Sequence, residues 1–222
     1  MILTATFYGT VPYPDGIVLM DEAARTLREG RAGPRLLMFE HPPTITTGVR
    51  TRAASFLRTP AELARKGIAV CTADRGGDAT WHGPGQIVGY PVVDLRALAL
   101  TVPAYVALLE RGLIRWLNAR GARCATRRGY PGVWTADGGK VASIGVRIAR
   151  GIATHGFALN LRGDLPGADA IVPCGLKGVA LTTLEAVTGI GADPAEVAPQ
   201  IAAAVAAALT MGLSWADPLH SP

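Results

Sequence analysis

Cysteine is scarce in this sequence, with three residues among 222. The three are Cys71, Cys124 and Cys174, and they form no Cys-x-x-Cys or Cys/His spacing. An odd number without such spacing suggests neither a disulfide framework nor a zinc knuckle. A reducing compartment is the simpler expectation, so we expect the protein to be cytoplasmic.

Clustered positive charge is also absent. The 22 basic and 17 acidic residues leave a net charge of +5, a mild surplus that suits an acidic partner, either nucleic acid or an acidic protein. The arginines are scattered, and no run is longer than Arg127–Arg128. Nucleic-acid binding usually shows as a basic stripe or an aromatic platform, so we expect no nucleic-acid partner.

No segment has the pattern of a signal peptide or a membrane anchor. The first 16 residues lack a basic start, a long apolar run and a cleavage site. The uncharged stretch 197–215 contains Pro199 and Gln200. We therefore expect a buried helix there and no membrane contact.

Apolar residues and glycine are plentiful, at 49% and 27 residues, which suits a large core crossed by many turns. Apolar spacing predicts helices over 18–29, 60–66, 103–120 and 193 to about 213. It predicts strands over 2–8, 35–39, 68–72, 86–93, 132–135, 140–148 and 153–161. Pro91 predicts an edge position or a bulge in its strand. Strands and helices do not alternate regularly, which predicts an α+β fold in one domain.

The first candidate functional cluster is the glycine-rich segment Arg75–Gln86. Such dense glycine lets a ligand approach the backbone closely, although an ordinary glycine-rich loop has the same composition. The segment is neither a dinucleotide-binding GxGxxG nor a P-loop, because Pro84 interrupts the first pattern and no GK[ST] follows.

The second cluster is the two-strand unit from Lys140 to Leu161. The period of two along the first strand puts Lys140 on an apolar face, where its ammonium would be partly desolvated. The alternative is that the lysine lies at the strand start and reaches water. On the second strand, Gly156 and Ala158 form a face small enough for an apolar chain to lie against it.

The third cluster is Cys174, which lies between Pro173 and Gly175 and therefore on a turn. Exposed backbone amides at such a turn suit an oxyanion. Most isolated cysteines are buried small hydrophobes, and we expect Cys71 and Cys124 to be of that kind.

Five segments together resemble the lipoyl(octanoyl) transferase family of lipoate biosynthesis. They are EHPPTITTG (40–48), RGGDATWHGPGQIVGYPVVDL (75–95), PGVWTADGGKVASIGVRI (131–148), THGFALNL (154–161) and IVPCGL (171–176). Two departures are Trp81 and Asp78, where the family usually has tyrosine and glutamate. The resemblance implies a mixed β-sheet flanked by helices, related to the catalytic domain of biotin and lipoate protein ligases. It also implies a single catalytic domain over 1–222, with an acyltransferase core at about 30–215.

The resemblance also implies the site residues. Cys174 is the acyl-thioester nucleophile, and Lys140 is its activating partner and a general base. The acyl group would be bound by residues of three segments: Arg75, Gly76, Gly77, Asp78, Ala79, Thr80, Trp81 and His82; Ser143, Ile144 and Gly145; Gly156, Phe157 and Ala158. The alternative is a Cys/His dyad, in which His82 would activate the thiol. Because the resemblance assigns activation to Lys140, we expect His82 instead to have an orienting role in the pocket.

The reaction implied is transfer of an octanoyl or lipoyl group from acyl carrier protein to a lysine ε-amine on lipoyl domains. The acceptors would be the lipoyl domains of 2-oxoacid dehydrogenases and the glycine cleavage H protein. Because one thioester becomes another and then an amide, we expect no cofactor and no metal. The alternative is an ATP-dependent lipoate or biotin-type protein ligase on the same fold, which activates a free acid and needs no cysteine.

Overall fold

The computed structural model describes residues 1–175 and 178–218, without the side chain of Cys174. Its main sheet has eight strands. In spatial order they are β11 (Gly212–Trp215), β1 (Ile2–Thr10), β2 (Arg35–Glu40), β6 (Gln86–Asp94), β10 (Ile152–Asn160), β9 (Lys140–Ala149), β8 (Tyr130–Thr135) and β7 (Cys124–Arg127). Strands β11, β1 and β2 pair in parallel, and every pair of neighbours from β2 to β7 is antiparallel. The predicted mixed sheet is therefore confirmed.

A second sheet has three strands, β4 (Ala69–Thr72), β3 (Thr44–Thr47) and β5 (Thr80–His82), in that order. The helices are α1 (Tyr13–Arg28), α2 (Pro60–Arg65), α3 (Val102–Asn118), α4 (Leu184–Thr188) and α5 (Pro194–Ala208). Short 3₁₀ turns lie at Ala53–Ser55, Ala168–Ala170 and Pro173–Gly175.

Helices cover both faces of the main sheet. On β2, Leu36 and Met38 belong to the core beneath α3 and α5, whereas Leu37 and Phe39 belong to the core beneath α1. This alternation is the period of two that a strand imposes on its side chains. The α+β expectation, with helices flanking the sheet, is therefore confirmed.

Local sequence signals account for the elements that were predicted well. The Thr101 hydroxyl accepts from the Ala104 N–H at 3.3 Å and starts α3, and Asp193 accepts from the Ala195 N–H at 2.9 Å and starts α5. Arg150 and Gly151 have φ values of 53° and 89°, as in the type I′ turn that joins antiparallel strands. The strands predicted over 132–135, 140–148 and 153–161 form the antiparallel meander β8–β9–β10, and this turn makes its second connection.

The start predicted for the first helix and the end predicted for the last helix are both wrong. Helix α1 begins at Tyr13 instead of 18, because Pro14 occupies its first turn and is compatible with a helix start. Helix α5 ends at Ala208 instead of about 213, since Thr210 takes a left-handed φ of 55°. The chain then forms β11, which pairs in parallel with β1. Within the described residues, no helix is long and apolar enough to cross a membrane.

Of the edge position and the bulge that the sequence left open for Pro91, the edge position is wrong, because β6 lies between β2 and β10 near the middle of the sheet. The ladder to β10 pairs Ala153 with Val93 and next Phe157 with Gly89, so it is interrupted opposite Pro91. His155 lies at this interruption with a φ of 54°. The interruption explains how a residue without an N–H is accommodated in a central strand.

Candidate active site

The glycine-rich segment is clamped by the Arg75 side chain, which is buried. Its guanidinium donates to the Thr46 carbonyl at 3.1 Å and hydroxyl at 2.8 Å, and to the carbonyls of Gly76 and Asp78 at 3.1 and 3.0 Å. Arg75 therefore joins the loop to β3 of the small sheet. These charge-assisted bonds hold the loop backbone in one shape.

The loop also lies directly on the main sheet. The Gly76 N–H donates to the Val146 carbonyl of β9 at 3.0 Å. A Cβ atom at Gly145 would lie 2.9 Å from the Gly76 carbonyl oxygen, and one at Gly48 would lie 2.5 Å from that of Gly77. Glycine at these two positions is what lets the loop approach so closely.

Loop and sheet enclose a cavity of about 50 Å³, here called the loop cavity. Twelve of the predicted acyl-binding residues line it: Arg75, Gly76, Gly77, Asp78, Thr80, His82, Ser143, Ile144, Gly145, Gly156, Phe157 and Ala158. Ala79 and Trp81 instead pack in the small core of the second sheet. The alternation along β5 explains the split, because Thr80 and His82 share one face and Trp81 takes the other.

Four further residues line the loop cavity that sequence reasoning did not assign to it: Tyr13, Val88, Tyr90 and His155. They come from α1, β6 and β10, which are far apart in the chain. Val88, Tyr90 and His155 fall within the family-like segments 75–95 and 154–161, whereas Tyr13 lies outside all five segments. The ring of Tyr13 stacks on that of His82 at a centroid distance of 5.9 Å.

His82 is the centre of a buried hydrogen-bond network. Gln86 donates from Nε2 to the Trp81 carbonyl and to Asn160 Oδ1, at 3.0 and 2.8 Å. Its Oε1 therefore accepts from His82 Nδ1 at 2.7 Å, and His82 Nε2 lies 3.1 Å from the Thr46 hydroxyl. Both ring nitrogens are occupied.

Burial, followed by the nearby His41 and Arg75, lowers the pKa of His82 well below its ordinary value. The imidazole is therefore neutral at physiological pH. A neutral ring with both nitrogens in hydrogen bonds favours the orienting role over a Cys/His dyad.

Lys140 begins β9, and its side chain is only 2% exposed. Of the two alternatives that the sequence left open, a desolvated lysine and a lysine that reaches water, the structure shows the desolvated one. Its Nζ lies 5.0 Å from the centroid of the Trp134 ring, a cation–π distance. The backbone of Lys140 donates to the Ala180 carbonyl at 2.9 Å and accepts from the Thr182 N–H at 3.0 Å. A bulge in β9 lies between Lys140 and Ala142 and interrupts the alternation expected there.

Lys140 lines a second cavity of about 180 Å³, here called the lysine cavity. Five residues line both cavities and form their shared wall: Gly76, Gly77, Asp78, Ile144 and Gly145. Arg50 and Tyr130 also line the lysine cavity, and both are exposed to solvent. The buried lysine and the loop cavity are thus neighbours across one wall.

The predicted nucleophile lies on the 3₁₀ turn Pro173–Gly175, while its side chain lies outside the described part of the chain. The turn is anchored because the Val172 N–H donates to the Ser55 carbonyl at 2.8 Å. A Cβ atom at Gly175 would lie 2.7 Å from Asp78 Oδ2. The turn therefore touches the shared wall at Asp78.

The two other cysteines are unsuited to nucleophilic chemistry. Burial raises the pKa of the Cys124 thiol to about 11 and raises that of Cys71 as well. A thiol with a raised pKa carries little thiolate at neutral pH. Cys124 is buried, as predicted, whereas Cys71 on β4 is half-buried. Over the described ranges, no group of three or more His, Cys, Asp or Glu side chains could hold a metal ion.

Comparison with known proteins places this architecture in a class. The fold is similar to a lipoate protein ligase of Thermoplasma acidophilum, with a TM-score of 0.76 at 14% identity over 98% of this chain and 87% of that one. It is also similar to the biotin protein ligase of Aquifex aeolicus, with a TM-score of 0.53 at 12% identity over 95% and 71%. The predicted relationship to ligase catalytic domains is confirmed.

Sequence comparison then gives the family. The model of the lipoyl protein ligase A/B catalytic domain matches residues 12–206, and the chain belongs to this family. It is 41% identical to the octanoyltransferase of Acidobacterium capsulatum, over 83% of this chain and 80% of that one. It is 40% identical to that of Chloroflexus aggregans, over 92% and 94%.

Proposed function

We propose that this protein is an octanoyltransferase that moves an octanoyl or lipoyl group from acyl carrier protein to a lysine of a lipoyl domain. One observation carries the proposal. A single wall, Gly76–Asp78 with Ile144–Gly145, separates a cavity lined by the predicted acyl-binding residues from the cavity of a buried lysine. The Cys174 turn touches this wall, in a chain that is about 40% identical to proteins named octanoyltransferase.

The first half-reaction forms an acyl-enzyme. The Cys174 thiolate attacks the carbonyl carbon of the carrier thioester, the new C–S bond forms, and the old C–S bond breaks. The carrier sulfur leaves as a thiolate and takes up a proton from the Lys140 ammonium, which leaves Lys140 neutral for the second half-reaction. An ordinary thiol with a pKa of about 8.5 is mostly protonated at pH 7, so the ammonium of Lys140 raises the thiolate fraction by charge attraction.

The second half-reaction makes the amide. The neutral amine of the acceptor lysine attacks the acyl-enzyme, a C–N bond forms, and Cys174 leaves as the thiolate. The attacking nitrogen loses one proton, which Lys140 accepts in its neutral form. A thioester becomes an amide, which lies downhill, so the transfer consumes no ATP.

The alternative function is that of an ATP-dependent protein ligase, because the proteins of similar fold are ligases. Such an enzyme would attach free octanoate in the presence of ATP and would not need Cys174. The identity of about 40% to octanoyltransferases favours the transferase. Incubation of the acceptor domain with either octanoyl-carrier alone or octanoate plus ATP separates the two functions.

The wider assignment includes partners, compartment and domain. Acceptors would be the lipoyl domains of 2-oxoacid dehydrogenases and the glycine cleavage H protein, and the compartment would be the cytoplasm. Residues 1–222 would act as one catalytic domain. Support for this comes from β11, which pairs with β1 and so ties both ends of the described chain into one sheet.

Incubation of the protein with octanoyl-loaded carrier should add one octanoyl group per chain, located on Cys174. The reason is the contrast between its turn at the shared wall and the raised pKa values of Cys71 and Cys124. Intact mass spectrometry measures the addition, and peptide mapping assigns the residue. An octanoyl group found on Cys71 or Cys124 would reject the assignment.

Carrier binding should depend on positive charge at the mouth of the lysine cavity. Arg50 lines this cavity, and the hairpin tip that carries Arg127 and Arg128 continues into its wall at Gly129–Pro131. In the described chain, none of these three arginines forms an ion pair with a carboxylate. Arg127 lies 5.1 Å from the centroids of the Tyr130 and Trp134 rings, and the charge of all three arginines is left for an acidic carrier.

The double substitution Arg127→Glu and Arg128→Glu should raise the KM for octanoyl-carrier by about tenfold at low salt and leave kcat nearly unchanged. The KM for a small octanoyl thioester should not change, and the effect should shrink as the Debye length falls from about 30 to about 8 Å. Arg31→Glu, which reverses a charge next to Glu29, is the matched control. If the KM for the small thioester rose as much as the KM for octanoyl-carrier, the two arginines would not act through carrier docking, and the prediction would be wrong.

A further inference from the structure

The loop cavity has two distinct ends. One end is the shared wall Gly76–Asp78, beside the Cys174 turn. Tyr13 and Tyr90 line the loop cavity but not the lysine cavity, and they belong to α1 and β6, which contribute no residue to that wall. His155 lies beside them, with its ring 5.7 Å from that of Tyr90. An acyl chain attached at the wall and extended into the cavity would point its distal carbons toward these three side chains.

Most polar groups at this distal end already have partners. Tyr90 Oη lies 3.3 Å from His41 Nε2, and His155 Nε2 lies 2.8 Å from Asp74 Oδ1. The exception is the hydroxyl of Tyr13. Among the residues that the structure describes, Tyr13 is the one residue lining this cavity that has a buried side-chain polar atom without a hydrogen-bond partner. A buried hydroxyl in that state is unfavourable.

The Tyr13 hydroxyl is also held in place and neutral. Its residue is 4% exposed, and its ring stacks on His82 and meets His41 edge-on at 5.4 Å. Burial raises the pKa of Tyr13 to about 12, so the hydroxyl keeps its proton and remains a donor. A fixed, unpartnered donor on a residue that lines a cavity is suited to selecting an oxygen atom on a ligand.

We propose that Tyr13 is a specificity-determining residue, whose hydroxyl binds an oxygen on the distal carbons of a medium-length acyl group. The protein then takes acyl groups that carry a hydroxyl near the far end, in addition to plain alkyl chains. A plain chain ends in a methyl group and leaves the Tyr13 hydroxyl to bound water. This inference rests on the proposed acyl-enzyme, since the acyl chain must be attached at the shared wall.

The test compares rates of Cys174 acylation by pantetheine thioesters of octanoic, 8-hydroxyoctanoic and 3-hydroxyoctanoic acid, followed by mass spectrometry. In the unaltered protein, 8-hydroxyoctanoyl should react faster than 3-hydroxyoctanoyl. Tyr13→Phe removes only the hydroxyl and should lower the ratio of the 8-hydroxyoctanoyl to the octanoyl rate by about fivefold to tenfold. The matched control is Tyr8→Phe, because the Tyr8 ring stacks on Phe39 outside the cavity.

Each other outcome overturns the inference. An unchanged rate ratio in Tyr13→Phe means that the hydroxyl binds only water. An equal loss of rate with all three thioesters places its effect at the reacting carbonyl instead. If Tyr13→Phe does not fold, the unaltered protein decides, since equal rates for the two hydroxylated donors contradict a distal oxygen site. Absence of any acylation in the unaltered protein would instead reject the proposed function.

Discussion

Cys174→Ala should lower octanoyl transfer to the acceptor domain by at least about 10³-fold. Without the thiol, no acyl-enzyme forms, and the acceptor amine must attack the carrier thioester directly. Removal of an essential nucleophile in other enzymes has costs of this order or larger. The measurement is single-turnover transfer from octanoyl-carrier to a lipoyl domain, with the product resolved by mass spectrometry.

The matched control is Cys71→Ala, which removes a half-buried thiol on β4, outside both cavities. We expect it to transfer octanoyl at the normal rate. Carrier binding and thermal unfolding of Cys174→Ala should match those of the unaltered protein, so that the loss is one of chemistry. Transfer by Cys174→Ala within tenfold of normal would contradict a thioester intermediate on Cys174 and favour direct attack of the acceptor amine on the carrier thioester.

Lys140→Ala should shift the alkylation of Cys174 to higher pH and slow transfer by about 10²-fold or more. The ammonium favours the thiolate, and with it removed the thiol should titrate near its ordinary pKa of about 8.5. The shift is upward because a positive neighbour stabilises the charged form of the thiol. General-base removal contributes further to the loss, since such groups typically supply about 10²-fold to 10⁴-fold.

Lys140→Arg separates the two roles of the lysine. Arginine keeps a charge but does not deprotonate, and its planar head has a different geometry. It should restore part of the low-pH alkylation and little of the transfer from preformed acyl-enzyme. The measurements are the pH profile of iodoacetamide alkylation and single-turnover transfer in all three proteins. An alanine variant with an unchanged alkylation profile would show that Lys140 does not activate Cys174.

Most, but not all, of the acyl-binding positions assigned from motifs line the loop cavity. The resemblance assigned fourteen acyl-binding positions, of which twelve line the loop cavity. The two exceptions, Ala79 and Trp81, are contiguous in sequence with positions that line the cavity. Strand alternation along β5 turns Trp81 into the small core instead. A contiguous motif does not show that its residues form a strand. Only the structure shows that Thr80–His82 is a strand, β5, whose side chains alternate between its two faces.

Tyr13 and Tyr90 show the opposite case. Both line the loop cavity, yet they lie on α1 and β6, outside the Arg75–His82, Ser143–Gly145 and Gly156–Ala158 segments. Their meeting in one cavity depends on α1 packing across β6, and these two elements are at least 58 positions apart in the chain. Local pattern carries no information on such a contact.

By itself, the sequence determined the features that depend on a few neighbouring residues. The caps Thr101 and Asp193 set where α3 and α5 begin, and the Arg150–Gly151 turn set the hairpin that carries the second cluster. These are local interactions, complete within a few residues of chain. Only the tertiary structure decided that β6 is central despite Pro91 and that β11 pairs with β1 about 210 residues away. Such pairing is selected by burial and by long-range loop closure, which no local pattern encodes.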